Sequence, residues 1–289
     1  MKILVCVKRV PAPGSKINVT PDGRGVDAAN LGYTMSPHEE CAVEAAAQLI
    51  EQHGGEATVL TLGAPEAVEQ VRYGVSVGAQ RAVLLATTDD DWDPQRTAQA
   101  IASAIDELES VDGTFDLILF GNESADSGGF QVGIRVAHAL GRPMVNGAKG
   151  LSLGDRFANV EREADAGRET YSLPLPAVVG IKEGINLPRY PTMKGRLASK
   201  KVEISTMQAS GEIGGLAKIT LRQPPERKSE TIVLGNGTSA TQRGVYLSAP
   251  TGDINFTDTA VGQTTAGAFR VDGGNANITY QGLIANNIN

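Results

Sequence analysis

A glycine-bearing loop set between an apolar run and an amphipathic one is the stretch of this chain best suited to chemistry. Phe115-Asp-Leu-Ile-Leu-Phe120 leads into Gly121-Asn-Glu-Ser-Ala-Asp-Ser-Gly-Gly129, and Phe130-Gln-Val-Gly-Ile-Arg-Val-Ala-His-Ala-Leu140 follows. That order reads as a buried strand, a small-residue loop and the opening turns of a helix, the arrangement by which α/β proteins hold a phosphate. The helix end supplies unpaired N–H groups and a positive dipole, and glycine lets the backbone close on the anion. The competing reading is a tight turn at Gly128-Gly129 with no ligand. Lys8 and Arg9 end the first apolar run, and would lie at the same sheet edge either as a solvated rim or as counter-charge for an anion.

The signatures of catalysis are missing from the sequence. It contains no Gly-x-Ser-x-Gly, no complete phosphate loop ending in Gly-Lys-Ser/Thr, and no Gly-x-Gly-x-x-Gly after the first strand. Asp126-Ser-Gly-Gly129 partly resembles the Ser-Gly-Gly-x-Asp-Ser loop of ATP pyrophosphatases. Gln131-Val132 stands where that loop has Asp-Ser, and the loop follows the fourth strand where that family uses the first. Glu123 and Asp126 have the chemistry of general bases, but acids beside a phosphate loop more often bond ribose or backbone. The histidines His38, His53 and His138 and the cysteines Cys6 and Cys41 lack metal-ligand spacing, so no metal is expected. These residues describe a nucleotide-holding domain without catalytic groups of its own.

The elements that must position the loop are legible in order. Lys2–Val7 is a continuous apolar run suited to a central parallel strand. Ile17–Asn30 reads as an excursion turning at Pro21-Asp-Gly23. Ser36-Pro-His-Glu39 is a helix start with a cap, a proline at the first helical position and the glutamate of a capping box. Strands are expected at Ala57–Leu62, Arg81–Ala86 and Phe115–Phe120, with helices after Gly63-Ala-Pro65 and after Asp93-Pro94. Asp89–Asp93 is an acidic loop holding the only tryptophan, Trp92. Alternating strands and helices imply an α/β fold, a doubly wound, mostly parallel, Rossmann-like sheet with helices on both faces.

After Gly141 the rhythm turns to strands: Gly150–Gly154, then a hairpin of Phe157–Glu163 and Arg168–Leu173 turning at Asp165-Ala-Gly167, then Leu175–Gly180. A proline-broken loop, Glu183–Thr192, leads to a cationic helical stretch at Met193–Lys201, and a late strand is expected at Leu216–Leu221. The domain is expected to span residues 1–235. Residues 236–289 lack lysine and glutamate, and show short β-like islands at Val245–Leu247, Ile254–Phe256, Phe269–Val271 and Ile278–Tyr280. With 33 acidic and 26 basic residues the formal charge is -7, which argues against a nucleic-acid partner. No apolar run reaches the roughly 18 residues of a membrane span. Two cysteines in this length point to a reduced, cytoplasmic setting.

Four segments together resemble the β subunit of electron transfer flavoprotein. They are Ile3-Leu-Val-Cys-Val-Lys-Arg-Val-Pro11; Met35-Ser-Pro37 with Glu40-Cys-Ala-Val-Glu44; Val160–Val179; and Pro188-Arg-Tyr-Pro-Thr-Met-Lys-Gly-Arg-Leu-Ala-Ser-Lys-Lys201. The resemblance runs in register from residue 1 to about Gly235. It implies an electron carrier with no catalysis of its own, paired with an α subunit that carries most of the FAD contacts. It implies transfer from acyl-CoA-type dehydrogenases to a quinone oxidoreductase. The β subunit would hold a structural AMP against Cys6, Val7 and Lys8, flanked by Ser36, Pro37, His38, Glu39, Leu62 and Gly63. The phosphate would lie among Asn122, Asp126, Ser127, Gly128, Gly129, Gln131, Val132 and Gly133. Met193 falls where the family places an apolar anchor for partner dehydrogenases, with Lys194, Arg196, Lys200 and Lys201 to steer acidic surfaces. Alternatives are a second FAD, as in the electron-bifurcating class, or a stand-alone adenine-nucleotide module. Ala12, and Gly128-Gly129 in place of Asp-Thr, lean towards AMP. Ser36, where Asn is frequent, and Ala166, which interrupts an acidic and glycine run, also depart from the family. Nothing after Gly235 resembles its C-terminal helical arm.

Overall fold

The computed structural model describes residues 1–88, 92–212, 215 and 218–224, together with the backbone of the strands beyond them. It divides into two compact units, Met1–Gln223 and Pro224–Asn289. In the first, the chain runs through β1 (Lys2–Val7), the short pair β2 (Val10–Pro11) and β3 (Tyr33–Thr34), α1 (Pro37–His53), β4 (Glu56–Gly63), α2 (Val68–Val77), β5 (Arg81–Ala86), α3 (Pro94–Asp112) and β6 (Leu117–Gly121). It continues through α4 (Val132–Ala139), β7 (Met144–Leu153), β8 (Phe157–Ala164), β9 (Gly167–Pro174), β10 (Ala177–Ile181), α5 (Met193–Lys201) and β11 (Ile204–Gln208).

Nine of these strands form one sheet in the order β11-β5-β4-β1-β6-β10-β7-β8-β9. Every pairing from β11 to β7 is parallel, and the β7-β8-β9 edge is antiparallel. This is the expected doubly wound α/β sheet with its added hairpin. The apolar run of β1 explains why helices cover both faces. Ile3, Val5 and Val7 pack with Ala42, Ala45 and Ala46 of α1 and Val71 of α2, while Leu4 and Cys6 pack with Ile101 and Ile105 of α3 and Val136 of α4. Alternate side chains of a strand point to opposite faces, so a run buried on both sides shows no alternation.

Two expectations about the sheet are corrected. The far edge is β11, Ile204–Gln208, parallel to β5; residues Lys218–Leu221, within the late strand expected at Leu216–Leu221, adopt no regular structure. In Ile204-Ser-Thr-Met-Gln208 only Ile204 and Met207 are half-buried and the other three residues are exposed, so its sequence lacks the apolar run that marks an interior strand. The strand read from Gly150 starts at Met144 and is bulged near Ala148 and Gly150. In the second unit, β12 (Val233–Leu234), β13 (Val245–Ser248) and β15 (Phe269–Asp272) form one small sheet. There β14 (Asp253–Thr257) and β16 (Asn277–Gln281) form another, and all four expected islands are strands.

Candidate functional site

The strand order reverses between β1 and β6: β4 and β5 lie on one side of β1, and β6 and β10 on the other. In such sheets ligands bind outside the carboxyl ends of the strands at this reversal. A cleft of about 510 Å3 opens there, within the range of small-molecule sites. Its floor is Cys6, Val7 and Lys8 from the end of β1; one side is Leu62, Gly63 and Ala64 after β4. The other side is the loop after β6, with Asn122, Ser124, Asp126, Ser127, Gly129, Gln131, Val132 and Gly133.

Each side of the cleft is placed by identifiable local chemistry. Gly121 ends β6 because α1 passes close by: a Cβ there would stand 2.7 Å from Glu39 Cγ. Gly133 lets the first turn of α4 settle on the sheet, since a Cβ would meet the Phe120 ring at 3.1 Å and Met144 Cε at 3.2 Å. Between them the chain bends sharply, with Gly128 at φ 55 and Phe130, a non-glycine residue, also at φ 55. A side chain in that region carries a conformational cost. Gly129 is the open position of the loop. A Cβ there would meet nothing within 4 Å, and the residue lines the cleft. The first N–H groups of α4 have no partners within the helix, so the loop and helix end together offer an anion several donors.

The charges are arranged to balance. Lys8 Nζ pairs with Asp126, 2.9 Å from Oδ1 and 2.7 Å from Oδ2. Burial would raise Asp126, but the Lys8 ammonium and its hydrogen bond outweigh that and hold the carboxyl below the usual aspartate range. Glu39 is buried at the cleft floor. Desolvation pushes its carboxyl up to about 8, against the pull of the Lys8 and Ser36 backbone N–H groups. The same carboxyl accepts from Ser36 N–H at 3.2 Å, completing the capping box of α1. Cys6 is buried, and desolvation, reinforced by Glu39, drives its thiol far above the ordinary value. A thiol so held is a packing group and not a nucleophile.

The residues anticipated for this site divide into two sets. Cys6, Val7, Lys8, Glu39, Leu62, Gly63, Asn122, Asp126, Ser127, Gly129, Gln131, Val132 and Gly133 converge on the cleft. Ser36, Pro37, His38 and Gly128 are not among its lining residues. Ser36 Oγ donates to the Glu123 carbonyl at 3.2 Å, and His38 Nε2 lies 3.4 Å from Glu123 Oε1. His38 Nδ1 accepts from Glu183 N–H at 2.7 Å, which leaves Nε2 to carry the ring proton towards Glu123. Arg9 does not join Lys8 at the cleft; its guanidinium carbon lies 3.6 Å from the Tyr33 ring centroid. Sequence reasoning did not assign Ala64, Thr87, Trp92, Pro94, Thr97, Ile101, Asn146 and Lys218 to this cleft. They come from separate places, the ends of β4 and β5, the first turns of α3, β7 and the segment at Lys218, and the sheet order alone brings them to one edge. Among the described residues no cluster has the makings of a metal site.

A second concavity, about 1170 Å3, lies between α2, the loop before α5, and α5 itself. Thr192 Oγ1 caps α5 by accepting from Gly195 N–H at 3.0 Å, and Lys200 and Lys201 suit the negative end of the helix dipole. Met193 is 74% exposed, so it is no core residue, and it stands with Leu187 (89%), Tyr190 (92%) and Leu197 (56%). Met193, Arg196 and Lys200 line the groove, while Lys194 and Lys201 are exposed on the same helix outside it. Leu187, Tyr190 and Leu197 were missed as members of this surface. Their mark in the sequence is an apolar residue between prolines or cations, where burial has little to attach to.

The loop itself is fastened along one flank of α1. Asn186 Nδ2 donates to the Cys41 carbonyl at 3.0 Å. Arg189 Nε and Nη2 reach Glu44 at 2.8 and 2.9 Å, and Nη1 and Nη2 reach Glu51 at 2.5 and 3.0 Å. Loop and cleft are thus both built on α1, the cleft on its first turn and the groove on its side.

Comparison with known proteins identifies the family of the chain. Residues 25–211 match the family model described as electron transfer flavoprotein domain. A protein of Syntrophomonas wolfei, "Electron transfer flavoprotein subunit beta", is 34% identical over 229 residues, 78% of this chain and 87% of that protein. The protein of the same name in Mycobacterium leprae is 34% identical over 266 residues, covering 86% of this chain and 97% of its own length. The Oryza sativa japonica relative, "Electron transfer flavoprotein subunit beta, mitochondrial", is 33% identical over 239 residues, 81% and 93% of the two chains.

Proposed function

Because the chain belongs to the family of electron transfer flavoprotein β subunits, we propose that it is the nucleotide-holding subunit of a two-subunit electron carrier. In this reading an α subunit holds most of the FAD, which supplies the redox chemistry when bound. Electrons enter from acyl-CoA-type dehydrogenases and leave to a quinone oxidoreductase. This chain contributes a structural AMP site and a docking surface, and no catalysis of its own. Cys6 and Cys41 are both free thiols, which suits the reducing cytoplasm. Among the described residues no helix is long and apolar enough to cross a membrane.

The observation that carries the AMP reading is the cleft at the strand reversal, scaled to a mononucleotide, with a glycine loop and helix end on one side. The Lys8–Asp126 pair neutralises itself and the nearby Glu123 carboxylate faces His38, so a phosphate is received mainly by N–H groups. Lys218 also lines the cleft and adds a positive charge. A ligand present at 100 times its Kd adds about 2.7 kcal/mol to the stability of the fold that binds it. That is the role assigned to AMP. Met193 with Leu187, Tyr190 and Leu197 forms the apolar centre of the docking surface, and Lys194, Arg196, Lys200 and Lys201 steer an acidic partner.

The test is electron delivery. The purified carrier is mixed with an acyl-CoA dehydrogenase and its substrate, and flavin bleaching is followed. Met193→Ala is expected to slow bleaching about tenfold, the loss of one apolar anchor, with flavin content unchanged. Equal rates for the two proteins would remove the docking assignment.

A further inference from the structure

The cleft reaches further along the sheet edge than the glycine loop requires. It crosses the carboxyl ends of β6, β1, β4 and β5 in that order, ending at Thr87 and Trp92 beyond β5. Strands about 4.8 Å apart put the β6 and β5 ends about 14 Å from each other, so a mononucleotide held at the β6 loop meets the β5 side only through a side chain that reaches in from it. The β6 side mixes Ser124 and Ser127 with Phe120, Phe130 and the start of α4, and the side beyond β5 carries one large flat ring, Trp92, beside Thr87, Pro94, Thr97 and Ile101.

Trp92 is the only tryptophan in the chain, and its ring has partners on three sides. Its indole Nε1–H donates to Thr87 Oγ1 at 2.8 Å. The Arg96 guanidinium carbon lies 3.9 Å from the ring centroid, covering one face. Gly211 backs the ring edge, where a Cβ would stand 3.5 Å from Cζ3. Asp93, the next residue, caps α3 by accepting from Gln95 N–H at 2.7 Å, so the backbone beneath the indole is fixed as well. An aromatic ring clamped at its N–H, one face and one edge, and still lining the cleft, is pre-organised to receive a flat ligand. A guanidinium on the far face of the ring does not compete for that position.

We propose that Trp92 is the base wall of this site, and that the ring stacks on a purine whose phosphate lies at the β6 loop. The inference rests on the nucleotide reading of the cleft and names the residue that selects the base. Stacking on an aromatic side chain is sequence-tolerant but grows with ring area, so AMP is preferred to CMP, and ribose 5-phosphate gains nothing from Trp92.

The experiment measures binding to the full chain with its co-purifying partner, after charcoal treatment, by equilibrium dialysis against labelled AMP, CMP and ribose 5-phosphate. Trp92→Ala is expected to weaken AMP roughly 5- to 150-fold, to weaken CMP less, and to leave ribose 5-phosphate within about twofold. Trp92→Phe should recover most of the AMP affinity. The emission difference between the unaltered protein and Trp92→Phe isolates this indole, and that difference should change on adding AMP. Unchanged AMP affinity in Trp92→Ala, or equal losses for AMP and ribose 5-phosphate, overturns the base-wall assignment while leaving the nucleotide site standing. Failure of the unaltered protein to bind AMP at all overturns both.

Discussion

Replacing Arg189 by alanine tests whether the loop before α5 is held in place by charge. The guanidinium bridges two glutamates of α1, and the two halves differ in worth. Glu51 is 58% exposed, so that half contributes about 0–1 kcal/mol. Glu44 is 3% exposed, and stripping the partner from a buried carboxylate costs about 3–5 kcal/mol. Gln48 Nε2 and the backbone N–H of residue 189 continue to donate to Glu44, at 2.7 and 3.2 Å, which brings the expected loss down to about 2–3 kcal/mol. For a folding unit of about 200 residues each kcal/mol moves the thermal midpoint by about 2–4 °C. Arg189→Ala should therefore lower it by about 4–12 °C. Glu44→Gln in the same background removes the stranded charge and should restore at least half of the loss. Thermal unfolding followed by circular dichroism reads both. A midpoint within about 1 °C of the unaltered protein, or no recovery with Glu44→Gln, would refute the clamp.

Other expectations follow from single contacts. Gly195→Ala places a Cβ 2.1 Å from the Ser76 carbonyl, an overlap with backbone that should cost about 1–3 kcal/mol; an unchanged midpoint would contradict the packing of α5 on α2. Gly129→Val should lower AMP content with little change in stability, because its Cβ enters open cleft. Gly128→Ala should instead cost about 1–2 kcal/mol through its left-handed backbone at φ 55. Reversal of that pattern in nucleotide assays and melts would sink the cradle. Glu39 is raised from 4.5 to about 8 in the folded protein, so the fold binds its proton more tightly than the unfolded chain does. The stability from this group is complete below about pH 4.5 and is lost as pH rises to about 8. Glu39→Gln should flatten the fall in midpoint across that window, and an unaltered slope would show that Glu39 is not its source.

Much of the fold could be read from local pattern because local physics fixes it. Lys2–Val7 is apolar throughout, since both faces of β1 are covered. The start of α1 is announced by Ser36, Pro37 and Glu39, and α5 coincides with the cationic stretch Met193–Lys201. Sheet order is another matter. β10 inserts between β6 and β7, separated from β7 by the whole β8–β9 hairpin. No residue of Ala177–Ile181 encodes that choice, which depends on how the hairpin folds back. The loop side of the cleft was legible because glycines mark it, and the opposite side was not. Trp92 and Ile101 belong to other strand–helix units, and reach the glycine loop only through the order β5-β4-β1-β6. The groove at α5, the proposed docking surface, was half legible. Cations and Met193 stood out, whereas Leu187 and Tyr190 look like ordinary apolar residues until their exposure is seen.

The central claim is that this chain holds a mononucleotide while an α subunit holds the flavin. Extraction of the purified carrier with acid, followed by chromatography of the supernatant and identification of the co-purifying protein, tests it in one step. The account predicts AMP and FAD in equal amounts, one of each per pair of subunits. Two FAD per pair would assign the cleft to a flavin, and FAD without AMP or any other second nucleotide would contradict the site outright.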